Sequence, residues 1–192
     1  MIKVFFDVET TGVNPKLHSI HQLAGCIEVN GEVVEYFDIR CKPYPKAQID
    51  PGALKVCNVT EAQIMAYPDM KIAYKQLILM LSKYIDKFDT KNKAHLVGFN
   101  NRFFDDVFLR VFFELNGDLY IGSWFYTDSL DCIVLASQYL LDRREGMQNF
   151  KQGTVAKELG IEVDKTRLHD ARYDVELLRK IYRIVTGLDT EF

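Results

Sequence analysis

Three apolar runs of strand length occupy the first forty residues. The first covers 2–8, and the second and third cover 20–29 and 32–40. Asn30 and Gly31 separate the second run from the third, and this dipeptide favours a tight hairpin between two strands. The pattern therefore predicts a three-stranded antiparallel meander at the start of the chain.

In the second third of the chain, apolar residues begin to recur at every third or fourth position. Over 70–88 this spacing predicts an amphipathic helix. A shorter helix is predicted over 60–66, where Thr60 and Gln63 can form a capping box. Segment 41–53 holds three of the five prolines and is predicted to be a loop. The later segments are predicted as strands at 95–99 and 124–128 and as helices at 101–115, 130–141, 151–159 and 170–185.

A meander followed by alternating strands and helices predicts an α/β fold. We expect one central mixed five-stranded sheet, with three antiparallel and two parallel strands, flanked by helices. With 192 residues, of which 48% are hydrophobic, the chain has material for one core, so we expect a single domain over 1–192. The formal net charge of −3 gives no global electrostatic sign of a nucleic-acid partner.

The four cysteines are widely spaced and form no Cys-x-x-Cys pair, which argues against a disulfide framework and a thiolate zinc site. They are typical of a reducing compartment, and we expect a cytoplasmic protein. No apolar stretch reaches about 18 residues, so no membrane span is expected. The first apolar run is interrupted by Asp7 and Glu9, which argues against a signal peptide.

The first strand ends in two carboxylates that share a face. Asp7 and Glu9 are two positions apart, and Phe5 precedes them on the same side of the strand. Like charges at this spacing repel each other. An isolated pair of this kind is most simply solvated, so the pair alone does not establish a function.

Two predicted helices also place acidic residues at apolar positions. Asp174 interrupts the apolar stripe of the helix over 170–185. In the helix over 101–115, Asp105 shares its face with aromatic residues three and seven positions later, and the periodicity slightly favours Asp105 over Asp106 as the inward residue. A carboxylate that complements the helix dipole in a first turn is the alternative in both helices.

Inward carboxylates from a strand end and two helices are explained together if they converge on divalent cations. Burying such charges unpaired costs several kcal/mol. Oxygen donors suit Mg²⁺ or Mn²⁺, and two such ions can bind a phosphodiester and activate a water. His169 lies at or just before the start of the last helix, from where an imidazole can accept a proton as a general base.

The segments "DVETTG", "GFNNRFFDD" and "HDARYD" resemble, in order and spacing, the three motifs of the DnaQ-like DEDD exonucleases, in the branch with a histidine in its third motif. The second motif and the proline-rich loop are most similar to nuclease domains of the exonuclease I type. The resemblance implies a ribonuclease H-like fold and metal-dependent hydrolysis of nucleic acid from the 3′ end, which releases 5′-mononucleotides.

The resemblance also implies residue roles. Asp7, Glu9 and Asp174 would hold the metal that activates water, Asp7 and Asp105 the metal at the leaving oxygen, and His169 would be the general base. The implied substrate-binding residues are Thr10, Thr11, Gly12 and Asn101. Single-stranded DNA or RNA 3′ ends would be the substrate, with DNA favoured and a DNA polymerase as a further partner.

Two departures from the family pattern bear on this reading. Val13 stands where a larger wedge residue is common, and Cys57-Asn58 stands where His-Gly is common. Fraying of duplex ends is therefore expected to be weak. The alternatives are an exoribonuclease of the same fold, a catalytically idle module that binds nucleic-acid ends, and a metal-free hydrolase of glycosidic bonds, which also begins from paired carboxylates.

Overall fold

The computed structural model describes residues 1–164, 166–167 and 171–189. Its strands are Ile2–Thr10 (β1), Ile20–Val29 (β2), Glu32–Arg40 (β3), Ala94–Gly98 (β4) and Leu130–Asp131 (β5). They form one sheet in the order β3-β2-β1-β4-β5. The first three strands are antiparallel neighbours, whereas β4 pairs in parallel with β1 and β5 with β4. The predicted α/β fold with a mixed sheet is confirmed.

Helices cover both faces of this sheet. Those in the described part of the chain are Pro51–Val56 (α1), Glu61–Met65 (α2), Met70–Leu81 (α3), Asp105–Leu115 (α4), Cys132–Tyr139 (α5), Gln152–Glu158 (α6) and Ala171–Val185 (α7). Within the described ranges, every helix is too short or too polar to cross a membrane.

The local signals at the first hairpin and at α2 are confirmed. Asn30 and Gly31 form the turn between β2 and β3. Both residues have positive φ angles, of 54° and 95°, as this type of two-residue hairpin turn requires. At α2, Thr60 accepts a hydrogen bond from the Gln63 amide, and the Gln63 side chain accepts one from the Thr60 amide, which completes the capping box.

The strand predicted at 124–128 is wrong. Trp124 and Phe125 are buried and continue a helical turn, because their amides donate to Ile121. Phe125 forms an isolated bridge to β4, and the strand proper comes later, at β5. The helix predicted over 130–141 consequently begins at Cys132, where the side chain of Asp131 caps it.

Three other predicted boundaries also differ. The helix predicted over 70–88 ends at Leu81 with Ser82 as its C-cap, and one further hydrogen-bonded turn leads to Tyr84, whose hydroxyl donates to Glu35 at 2.9 Å. The loop predicted over 41–53 gives way to α1 at Pro51, which Asp50 caps. The helix predicted over 101–115 is a short 3₁₀ turn followed by α4.

The sheet separates two hydrophobic cores. Alternate residues of β1 serve both, because successive side chains of a strand point to opposite faces. Val4, Phe6 and Val8 pack with α3 and α4 on one face. Phe5 packs with α5, α6 and α7 on the other. The face that holds Phe5 is therefore the face toward which Asp7 and Glu9 also point.

A buried charge network fixes α7 on that second face. Glu28 of β2 is 1% exposed and accepts hydrogen bonds from Lys3 at 2.9 Å and from Arg179 of α7 at 2.8 Å. Burial alone would raise the pKa of Glu28, but the hydrogen bonds from Lys3 and Arg179 lower it below its usual value. Glu28 is thus held as a carboxylate between two cations.

Replacing Glu28 with alanine should lower the free energy of unfolding by about 3–5 kcal/mol, because two cations would remain in a mostly buried place without their partner. Urea unfolding measures the loss. Glu158→Ala is the matched control, since Glu158 pairs with Arg143 at the surface, where ion pairs contribute little. Equal losses in the two variants would contradict the anchoring role.

Candidate active site

The site begins at the carboxyl end of β1. Asp7 and Glu9 are half-buried there, between the neighbours β2 and β4. The β1–β2 pairing shifts directly after Glu9, so that Glu9 pairs with Gln22 but Thr10 pairs with Ile20. Such an irregularity bends a strand and redirects its side chains, and it often lies beside functional sites.

Helix α4 brings Asp105 to the same end of β1. Asp105 is 6% exposed, and its Oδ1 accepts a hydrogen bond from the amide of Val8 at 3.2 Å. Asp106 points elsewhere and accepts from Asn101 at 2.8 Å and from Ser129 at 2.5 Å. The preference for Asp105 as the inward residue is confirmed by this burial, and Asp106 holds neighbouring loops together.

Helix α7 delivers Asp174 from above the sheet. The ring of Tyr182 packs edge-on against Phe5 at 5.4 Å, which sets the helix over β1. Asp174 lies about two turns earlier, half-buried at the end of β1 that carries Asp7. Gln152 of α6 donates to the carbonyl oxygen of Asp174 at 2.7 Å and ties the two helices together.

The carboxylates act strongly on one another. The pKa of Asp7 is raised well above its ordinary value, first by burial and then by the negative charges of Asp105, Glu9 and Asp174. Burial raises the pKa of Asp105 to about 7, although the amide of Val8 opposes the shift. Acidic groups from β1, α4 and α7 thus gather at one place, as their positions in the sequence predicted.

The gathered carboxylates are not arranged as a finished ligand set. In the described parts of the chain, no three His, Cys, Asp or Glu side chains are grouped so that they could hold a metal ion. Two of the expected ligands also accept hydrogen bonds from the protein: Oδ1 of Asp105 from the Val8 amide at 3.2 Å, and Oε2 of Glu9 from the thiol of Cys57 at 2.8 Å. The donor chemistry fits hard divalent cations, and the metal centre stays a prediction.

A cavity of about 550 Å³ opens beside the carboxylates. Its lining includes Asp7, Glu9 and Asp174. The other lining residues come mainly from α6 and its flanks, namely Lys151, Gln152, Gly153, Thr154, Lys157 and Val163. Negative charge and lysine side chains therefore meet at one opening, which suits a substrate that carries phosphates.

The sequence analysis did not identify the lysines of this cavity. Lys151 and Lys157 are exposed residues around a short helix. Nothing in their spacing distinguishes them from other surface lysines, since their role depends on how α6 packs against α7. The signal available in the sequence is the pair of lysines around Gly153, shortly before the third motif.

The residues expected to bind substrate lie around the same strand end but are engaged with the protein. Thr10 donates from its hydroxyl to the Gly12 carbonyl at 2.8 Å. Thr11 is fully buried, and its hydroxyl donates to Gln48 at 2.7 Å. Asn101 is fully buried and donates to Asp106. Their contacts to a substrate, and that of Gly12, stay predictions.

The tight packing of Asn101 explains one glycine. A Cβ atom built on Gly98 would lie 2.5 Å from the Cβ of Asn101, closer than atoms can approach.

The general base proposed from the sequence, His169, lies outside the described residues. Its role therefore also stays a prediction.

A family model described as exonuclease (RNase_T) matches residues 4–182. The chain is 26% identical over 194 residues to the DNA polymerase III subunit epsilon of Pasteurella multocida, across 98% of this chain and 69% of the relative. It is 24% identical over 179 residues to the PolC-type DNA polymerase III of Mycoplasmopsis pulmonis, across 93% of this chain and 11% of the relative.

Solved structures of exonuclease I are similar as well. The E. coli enzyme in complex with a dT13 oligonucleotide aligns with a TM-score of 0.76 and 26% identity, across 96% of this chain and 41% of that chain. A zinc ion bound form of an E. coli ExoI-ssDNA complex aligns equally well, with a TM-score of 0.76. This chain thus spans about two fifths of exonuclease I and about a tenth of the PolC-type relative.

These similarities agree with the resemblance seen in the three motifs and with the mixed sheet. The likeness to exonuclease I extends over nearly the whole chain, and the family model covers residues from β1 to the later turns of α7. The chain belongs to the exonuclease family, with the ribonuclease H-like fold of the DnaQ-like DEDD exonucleases.

Proposed function

We propose that this protein is a 3′ to 5′ exonuclease that acts on single-stranded nucleic acid, with DNA favoured, and releases 5′-mononucleotides. The observation that carries the proposal is the gathering of Asp7, Glu9, Asp105 and Asp174 at one end of β1. Several carboxylates that raise one another's pKa are costly to a fold unless a cation offsets their repulsion. Phosphodiester hydrolysis is the chemistry that such a site supports.

In this proposal, Asp7, Glu9, Asp105 and Asp174 hold two divalent ions, Mg²⁺ or Mn²⁺. The ions supply activation of water and neutralise charge at the phosphate. His169 accepts the proton of the attacking water. The oxygen of that water bonds to phosphorus as the bond between phosphorus and the 3′ oxygen of the preceding nucleotide breaks. The leaving 3′ oxygen takes a proton from solvent, so that a 5′-mononucleotide leaves and the shortened strand ends in a 3′ hydroxyl.

The remaining residues bind the strand. Lys151 and Lys157 line the same cavity as the carboxylates and would contact the phosphate backbone. The 3′-terminal nucleotide would be held, directly or through the loops that these residues stabilise, by Thr10, Thr11, Gly12 and Asn101. Exposed Val13 offers little surface for prising duplex ends apart.

The partner and its context follow the relatives. An exonuclease I relative binds a dT13 oligonucleotide, which supports single-stranded DNA as substrate. Relatives named as a polymerase III subunit and as PolC-type polymerases support a DNA polymerase as a further partner. We place the protein in the cytoplasm, with 1–192 as one exonuclease domain.

A single-stranded DNA oligonucleotide labelled at its 5′ end should shorten stepwise from its 3′ end with Mg²⁺ and remain intact in chelator. Asp7→Asn should lower the rate by more than about 100-fold, since loss of a group that merely supports a metal ligand costs about 10–100-fold. Gel electrophoresis follows the products. Asp89→Asn, at an exposed turn, is the control.

Shortening that continues in chelator, or an Asp7→Asn variant as active as the control, would contradict the proposal. A matched RNA oligonucleotide tests the substrate class. Faster digestion of RNA than of DNA would favour the exoribonuclease alternative. Tight binding of either strand without cleavage would favour the idle end-binding module.

Lys157→Ala should weaken substrate binding with a reduced dependence on salt. Each phosphate contact to a single strand contributes a slope of about −0.7 to the logarithm of affinity against the logarithm of salt concentration. The KM for an oligonucleotide, measured at several salt concentrations, should rise most at low salt. Lys91→Ala is the control, because exposed Lys91 precedes β4 and so lies at the other end of the sheet. An equal rise of the KM in both variants would contradict a contact between Lys157 and a phosphate of the substrate.

The stability of the metal-free protein should fall as the pH rises from about 4 to about 7. The pKa of Asp105 lies near 7 in the folded chain and near 3.8 when it is exposed, so the folded state binds the proton more tightly and loses stability as that proton leaves. Thermal unfolding in chelator measures the trend.

Asp105→Asn should flatten this pH dependence, since an amide carries no charge to repel. Addition of Mg²⁺ to the wild type at pH 8, about one unit above the raised pKa, should raise its melting temperature, because a ligand that binds only the folded state stabilises it. A melting temperature that changes neither with pH nor with added Mg²⁺ would contradict the electrostatic account of the site.

A further inference from the structure

The thiol of Cys57 touches the site from a segment outside the three motifs. Its Sγ donates to Oε2 of Glu9 at 2.8 Å, across 48 positions of the chain. Cys57 therefore contacts the end of β1 at the residue where the β1–β2 pairing shifts.

The position of this thiol is fixed by the backbone around it. The amide of Cys57 donates to Ala53 at 3.1 Å, and the amide of Val59 donates back to Leu54 at 3.0 Å. Leu54 is buried and anchors α1 in the protein. Asn58 adopts a left-handed conformation with φ 53°, which Asn tolerates better than most residues. The turn therefore fixes where Cα and Cβ of Cys57 lie, and the hydrogen bond to Glu9 defines the direction of the thiol.

The loop before α1 is attached to β1 as well. The hydroxyl of Thr11 donates to Gln48 at 2.7 Å, and the amide of Asp50 donates to the carbonyl of Thr11 at 2.8 Å. Asp50 is also the cap of α1. The segment 48–57 is consequently fastened to the end of β1 at both of its ends, by Thr11 and by the contact between Cys57 and Glu9.

The neighbours of Glu9 show why a hydrogen bond to its carboxylate matters. Asp7 lies two positions away on the same face, and the two charges repel each other. A flexible carboxylate beside a like charge turns away from it unless another group restrains it. Groups that hydrogen-bond a metal ligand orient it, and their loss typically costs about 10–100-fold in metal affinity or activity.

We propose that Cys57 is a positioning residue that holds the carboxylate of Glu9 in the orientation that binds a divalent cation. The proposal rests on the proposed metal-dependent function, and it adds a residue that the motifs do not contain. Cys57 contacts neither the substrate nor the reacting phosphate in this role. Its hydrogen bond sets the direction of the ligand.

The test compares Cys57→Ala with Cys57→Ser in the full chain. Titration calorimetry with Mn²⁺ on the metal-free protein measures affinity without any turnover. Cys57→Ala should raise the dissociation constant about tenfold, within the range for a group that supports a ligand, and should raise the Mg²⁺ concentration for half-maximal activity by the same factor. Cys57→Ser keeps a donor and should restore most of the affinity.

Cys41→Ala is the matched control, because Cys41 is buried and its thiol donates to the Ile20 carbonyl rather than to a carboxylate. It should leave Mn²⁺ affinity unchanged. The KM for an oligonucleotide at saturating Mg²⁺ should be the same in Cys57→Ala as in the wild type, since a positioning role alters metal binding alone. Melting temperatures in chelator establish that each variant is folded.

The two proposals fail in different ways. A wild type that binds no Mn²⁺ overturns the proposed metal-dependent function. If the wild type binds Mn²⁺ and Cys57→Ala binds it equally tightly, only the positioning role is overturned. The same conclusion follows if Cys57→Ser behaves like Cys57→Ala, or if Cys41→Ala weakens Mn²⁺ binding equally.

Discussion

The repulsion among carboxylates at the end of β1 is the constraint around which this protein is organised. Asp7 is surrounded by Glu9, Asp105 and Asp174, and both burial and their charges raise its pKa. A fold that brings such groups together loses stability at neutral pH unless cations or hydrogen bonds compensate for it. The hydrogen bonds to Asp105 from Val8 and to Glu9 from Cys57 supply part of that compensation from within the chain.

The elements that carry these groups are held in place by contacts farther from the site. Helix α7 is fixed to the sheet by Arg179 on Glu28 and by Tyr182 on Phe5, both closer to its C-terminal end than Asp174 is. The apolar residues of β1 pack into cores on both faces of the sheet. Strong apolar and ionic packing thus surrounds a small region of unfavourable charge, and the free energy lost there is recovered elsewhere.

Much of this arrangement could be predicted from the sequence, because its signals are local. The period of two in β1 to β3 and the Asn30-Gly31 dipeptide indicated the meander, and the acidic residues were found because they interrupt apolar patterns. Long-range packing decided the rest. Trp124 and Phe125 have strand-like composition but complete a helical turn, and α3 ends at Leu81 although the apolar spacing continues to residue 88. Lys157 and Cys57 reach the site only through the docking of α6 and α1.

The sheet also limits how this protein can associate with others. One edge strand, β5, has two residues, and the other, β3, exposes Glu32, Asp38 and Arg40 along its length. Short or charged edges resist the addition of another strand. Addition of a partner's strand at β5 or at the charged positions of β3 is therefore disfavoured, and so is the intermolecular extension of the sheet that leads toward fibrils.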